Sequence, residues 1–187
     1  MSIEMVRQQI YEEIKRYCQS KGYMEGQGIN NFIPHDCVAA FQMAKDLIGS
    51  GNFDYFVAIA PEGHVYSYFF EMLGAKIREV FVDYPPKLIK EVDDLLSISE
   101  KKVLLIEDDL ISGKTLWMVL DVLGRYSPQS VSLYLGHTKS VQHLHNVPER
   151  ISRTYLAEDY LLPALSGQYV AEVESYWNSK RGSKDNG

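Results

Sequence analysis

Residues 101–116, KKVLLIEDDLISGKTL, decide how this chain is read. The apolar run at 103–106 stops at Glu107, Asp108 and Asp109; Ser112, Gly113, Lys114 and Thr115 come next, and an apolar pattern at helical spacing lies beyond them. A short apolar run bounded by polar residues predicts a buried strand, and the pattern beyond it predicts a helix over 114–123. The first amides of a helix have no intrahelical acceptor, so residues 112–115 offer N–H groups, two hydroxyls and one ammonium to an anion. Gly113 lets the backbone approach closely. Glu107 and Asp108, side by side at a strand end, repel one another unless a cation or hydroxyl groups answer them. The segment describes a phosphate cradle beside carboxylates suited to a sugar diol or a metal-bound sugar phosphate.

Elsewhere in the chain, 53–60 predicts a second buried strand, 61–64 a turn and 65–73 a helix; 76–82 and 130–135 predict further strands. Strand, loop and helix repeat three times with short connections, which favours an α/β fold: an open, doubly wound, mainly parallel sheet flanked by helices. Ligands of such sheets bind at the carboxyl ends of the strands, where the turns after Ala60 and Ile106 both fall. On the amino side, 3–17 predicts an amphipathic helix with Met5, Ile10, Ile14 and Tyr17 on roughly one face. Residues 24–32 read as loop and 34–48 as a second helix closed by glycine. The prolines at 85 and 86 break the pattern, and the charged segment 88–98 reads as a helix or a mobile flap. Beyond 147 come one short strand-like run, 152–156, and a last helix at 169–177. The expected organisation is one domain over 1–177 with a disordered polar tail at 178–187.

The chain has 187 residues, a net charge of −6 and a sequence pI near 5.4. That balance argues against a broad nucleic-acid-binding face. Cys18 and Cys37 stand in separate segments with no metal or redox spacing, as in a reducing compartment. No apolar run approaches the roughly 18 residues of a membrane span, so a soluble cytoplasmic protein without a membrane partner is expected.

Gly-Lys-Thr also occurs in nucleoside triphosphatase loops, but their first glycine would fall at residue 108, which is Asp108. The segment instead resembles the phosphoribosyl pyrophosphate signature of type I phosphoribosyltransferases: an apolar strand, two acids, about four variable residues, then Gly-x-Thr. The resemblance implies that Glu107 and Asp108 hold ribose hydroxyls, directly or through magnesium, and that Ser112, Gly113, Lys114 and Thr115 hold the 5′-phosphate. The order of elements over residues 53–160 resembles the hypoxanthine-guanine branch. Glu62, Gly63 and His64 are placed like its pyrophosphate loop, 85–100 like its catalytic flap, and 148–160, with Ile151 and Glu158, like its base-binding hood. The resemblance implies a magnesium-dependent glycosyltransferase that moves ribose 5-phosphate to a nitrogenous base.

Four positions depart from that pattern. Ile111 stands where purine members place an acid, and an apolar side chain neither donates nor accepts a proton. Glu62 stands where many carry a basic residue, and its charge repels pyrophosphate unless a metal intervenes. Gly136 falls near the lysine that reads the base, and Ile151 near the aromatic residue that stacks on it. These departures argue against an ordinary purine enzyme. They leave a divergent acceptor or a catalytically reduced sensor of phosphoribosyl pyrophosphate or a nucleotide.

Other features admit simpler readings. His64 could replace the missing basic contact or serve as an ordinary helix residue. His143 and His145 could share one strand face for a metal, without a third ligand at a convincing spacing. Glu158 and Asp159 read as solvated charges before they read as pyrophosphate contacts. Tyr66, Tyr68, Phe69 and Phe70 read as core or dimer interface, with a homodimer expected.

Overall fold

The computed structural model describes residues 3–22, 36–83, 87–90 and 95–182. Six strands form one sheet: β1 (Tyr55–Ala60), β2 (Ile77–Asp83), β3 (Lys87–Lys90), β4 (Lys102–Glu107), β5 (Ser130–Leu135) and β6 (Ile151–Leu156). Their order is β3-β2-β1-β4-β5-β6. Five strands run parallel, and β3 pairs antiparallel along the outer edge of β2. Part of the segment read as a helix or flap is thus an edge strand, and a 3₁₀ turn stands at Leu95–Ile98. The rest of that segment, the loop at 24–32 and the prolines at 85 and 86 lie outside the described residues.

The helices are α1 (Ile3–Ser20), α2 (Cys37–Gly49), α3 (His64–Met72), α4 (Lys114–Gly124), α5 (Leu161–Leu165) and α6 (Val170–Gly182). Alternation along β4 sends Leu104 and Ile106 to one side, with α1, α2 and α3, and Val103 and Leu105 to the other, with α4. On α1 the buried stripe is Val6, Ile10, Ile14 and Cys18, spaced four apart, whereas Met5 is exposed. Asp36 caps α2, accepting from Val38 N at 2.8 Å and Ala39 N at 3.1 Å, and pairs with Arg7 of α1 at 2.9 Å. Burial pushes the Cys18 and Cys37 thiols up to about 12. At the far end α6 continues through 178–182, residues expected to be disordered. No described helix is long and apolar enough to cross a membrane.

Chain order reverses between β1 and β4, which are neighbours in the sheet although two strands separate them in sequence. The turns leaving their carboxyl ends diverge there and open a crevice. At the crevice floor Gly63 packs so tightly that a Cβ would lie 2.5 Å from both the Ile59 and the Ile106 carbonyl oxygens. Both obstacles are backbone in buried central strands. Gly63→Ala is expected to destabilise the chain by about 1–3 kcal/mol, the usual range for overpacking a core; a urea midpoint equal to wild type would contradict this packing.

Candidate functional site

The end of β4 delivers Glu107 and Asp108 to the crevice, both more than nine-tenths buried. Residues 109–113 then turn into α4. Gly113 has φ +72°, and a Cβ there would stand 2.5 Å from the Asn146 carbonyl oxygen, so glycine is required on two grounds. α4 has no side-chain N-cap. Lys114 N approaches Ser112 Oγ at a long 3.4 Å, and among the described residues the Gly113, Thr115 and Leu116 amides meet no acceptor. Thus the amides of Gly113, Thr115 and Leu116 remain available to a ligand, and that of Lys114 is only weakly engaged.

These groups line a cavity of about 550 Å³ together with Glu62, Asp83, Asp109, Ile111 and Lys139. Asp109 pairs with Lys139 at 2.8 Å, which raises the lysine's affinity for its proton. Glu107 is pushed well above the usual carboxylate range, first by burial and then by Asp108. Burial also raises Asp108. Glu62 rises for the same reason, with Asp108, Asp109 and Asp83 adding to it. Glu107 Oε1 accepts from the Asp108 amide at 3.0 Å, too little to offset the lost hydration.

The turn expected to hold pyrophosphate is closed on itself. Gly63 N donates to Ile59 O at 2.8 Å, His64 N to Pro61 O at 3.1 Å and Val65 N to Glu62 O at 3.1 Å. The backbone donors that should compensate for the wrong charge of Glu62 are therefore occupied. His64 is buried away from this cavity, edge-on to Tyr17 and 3.1 Å from the Glu79 carboxylate. That approach lacks hydrogen-bond geometry, and burial lowers the imidazole's proton affinity against the pull of Glu79. His64 lines a separate cleft with Lys21 and Arg78, which corrects its placement in the pyrophosphate loop.

Ile111 reaches the cavity half exposed. Ile151 does not reach it. It opens β6 opposite Val131, at the amino edge of the sheet, about 16 Å from Leu156 at ~3.3 Å per residue. A base-contacting role for Ile151 is corrected accordingly. Glu158 lies just past β6 at the proper edge, but its carboxylate accepts from Thr138 N at 2.7 Å. A Cβ on Gly136 would fall 2.1 Å from the Tyr66 ring, so Tyr66 holds the space a longer side chain would need. Between Tyr66, Gly136, Glu158 and the start of α2 remains a gap of about 10 Å³, at most the room of one water. His143 and His145 lie on a 3₁₀ turn, Val141–Asn146, and not on a strand. No group of three His, Cys, Asp or Glu among the described residues could cage a metal.

Sequence reasoning missed Asp83, Lys139, Asn146 and the part played by Tyr66. Asp83 ends β2 at the same edge as Glu107, so the same rule, a carboxylate at a strand's carboxyl end, could have found it. The other three come from distant segments and carry no local signal.

No family model matches the chain, and no curated protein matches it. Solved structures do. The purine phosphoribosyltransferase from Pyrococcus horikoshii Ot3 superposes with a TM-score of 0.50 at 17% identity, over 63% of this chain and 80% of that one. The AQ2163 protein from Aquifex aeolicus gives a TM-score of 0.51 at 12% identity, over 63% and 70%. The fold is that of the type I phosphoribosyltransferases. Within this phosphoribosyltransferase fold the acid pair and the Gly-Lys-Thr turn stand at the switch point, while the Gly63, His64 and Val65 amides are bonded within their own turn.

The raised acids make stability depend on pH. A carboxyl whose folded pKa exceeds its unfolded value contributes stability below the unfolded value, and that contribution is lost as pH rises through the folded one. Glu107→Gln removes this loss. Its Tm should exceed wild type by several degrees at pH 8 and converge with it near pH 4, given that ~1 kcal/mol moves Tm by about 2–4 °C at this chain length. Parallel Tm profiles from pH 4 to 8 would defeat the buried-acid account.

Proposed function

We propose that this chain binds a 5-phosphoribosyl ligand, phosphoribosyl pyrophosphate or a nucleoside 5′-phosphate, together with magnesium, and acts as a binding and reporting protein. The carrying observation is the juxtaposition of unanswered α4 amides with two buried carboxyls. The 5′-phosphate would take the amides and hydroxyls of residues 112–115, and the ribose hydroxyls would donate to Glu107 and Asp108. Magnesium binds through one or two carboxylates plus phosphate oxygens and water, so the lack of a protein cage among the described residues suits it. It would offset the repulsion between the ligand's phosphates and the cavity acids.

Transfer of ribose 5-phosphate to a nitrogenous acceptor is the second reading, favoured by the intact acid pair. It needs donors for a departing pyrophosphate and room for a base. The Gly63, His64 and Val65 amides are occupied, Glu62 has the wrong sign, Tyr66 fills the space at Gly136, and Ile111 cannot move a proton. These observations favour the binding protein.

Calorimetry with phosphoribosyl pyrophosphate and magnesium should show binding by wild type, weakened roughly 10- to 100-fold in Asp108→Asn, the worth of a hydrogen bond to a charged group. Equal affinity in both would sink the site assignment. A screen of nitrogenous bases should release no pyrophosphate; release that depends on Asp108 would establish the transferase instead.

A further inference from the structure

The segment after β5 runs beside the loop after β4 and is tied to it at successive points. Gly136 N donates to Glu107 O at 3.0 Å and His137 N to Asp108 O at 2.9 Å. Lys139 Nζ meets Asp109 Oδ2 at 2.8 Å, and Asn146 Nδ2 donates to Ile111 O at 2.5 Å. The segment is itself anchored. Glu158 receives Thr138 N, Thr138 Oγ1 donates to Ser140 O at 2.7 Å, and Ser140 caps the turn that ends at Asn146.

Asn146 touches the phosphate turn twice. Its side chain holds the Ile111 carbonyl, and its own carbonyl stands against the bare Cα side of Gly113. A glycine held at positive φ gives up more conformational freedom than any other residue, so the left-handed Gly113 must be held by its surroundings. From α4 only the Trp117 amide reaches it, donating to Gly113 O at 2.9 Å, and no side chain caps that helix among the described residues. We infer that Asn146 is a positioning residue, which holds the 111–113 turn in the conformation that leaves the first amides of α4 open to phosphate. The inference rests on the phosphoribosyl reading for its ligand, not for its geometry. Asn146 reaches the turn from the segment after β5 and lies outside the acid and Gly-Lys-Thr motif.

Two variants separate a donor from mere bulk. Asn146→Asp keeps the shape but turns an acceptor toward the Ile111 carbonyl; Asn146→Ala removes the group. Asn146 is exposed, so both should fold with a Tm close to wild type. Calorimetry with ribose 5-phosphate and magnesium should show both weakened roughly tenfold, as one lost hydrogen bond allows, with Asp no better than Ala. In the free proteins the ¹⁵N–¹H signals of Gly113, Lys114 and Thr115 should be sharp in wild type and broadened or doubled in both variants. Wild-type affinity in Asn146→Asp, or lost affinity with unchanged amide signals, would overturn the inference. If wild type does not bind ribose 5-phosphate, the phosphoribosyl reading falls, and the free-protein signals decide alone: broadening in both variants sustains the positioning role and unchanged signals reject it.

Discussion

The passage of Gly63 against the carbonyl oxygens of Ile59 and Ile106 is the constraint on which the site depends. It lets the turn after β1 fold back over the end of β4, where any side chain would force the two strand ends apart. One close contact has two results. The amides of that turn find acceptors within the chain, and the carboxyls at the end of β4 lose much of their water. A looser turn would give an open, hydrated crevice; in this one burial raises the proton affinity of Glu62, Glu107 and Asp108.

Residues 101–116 are legible in the sequence because everything that decides them is local. Apolar run, acid pair, glycine and helix start lie within sixteen consecutive positions and obey one-dimensional rules, and β5 likewise matches its expected span, 130–135. The expectations that fail depend on where segments meet. Ile151 and Glu158 read together as a hood, yet they lie at opposite ends of β6 and its exit, because a parallel strand separates residues that sequence keeps close. His64 is adjacent to Gly63 in sequence but points to the other side of the sheet, since the first turn of a helix rotates neighbours apart. Met5 falls on the far side of α1 from Ile14, whereas Val6 stands four residues before Ile10 and shares its face, so the helical period itself selects Val6. The role of Tyr66 has no trace in the sequence beyond its place in the core. Its effect is on Gly136, seventy residues away, where it decides what the site can hold.

That pairing also gives the glycine at 136 a structural reason. A glycine at 136 reads as a loss when seen alone. Beside Tyr66 it is the partner of a gain, an aromatic ring packed on Tyr134 and against the start of α2. The ring holds the volume that a longer side chain at 136 would need.

Burial raises the proton affinity of Glu107 and Asp108, and a proton held there would relieve the repulsion of two adjacent carboxyls across a poorly hydrated space. Whatever enters to use those oxygens, hydroxyl or metal, competes with hydrogen ion for the same lone pairs. Occupancy is then an exchange and not a simple addition, and its equilibrium carries the acidity of the medium within it. In the phosphoribosyl reading such a site would fill less readily as its surroundings acidify, whether or not a glycosidic bond is made or broken there.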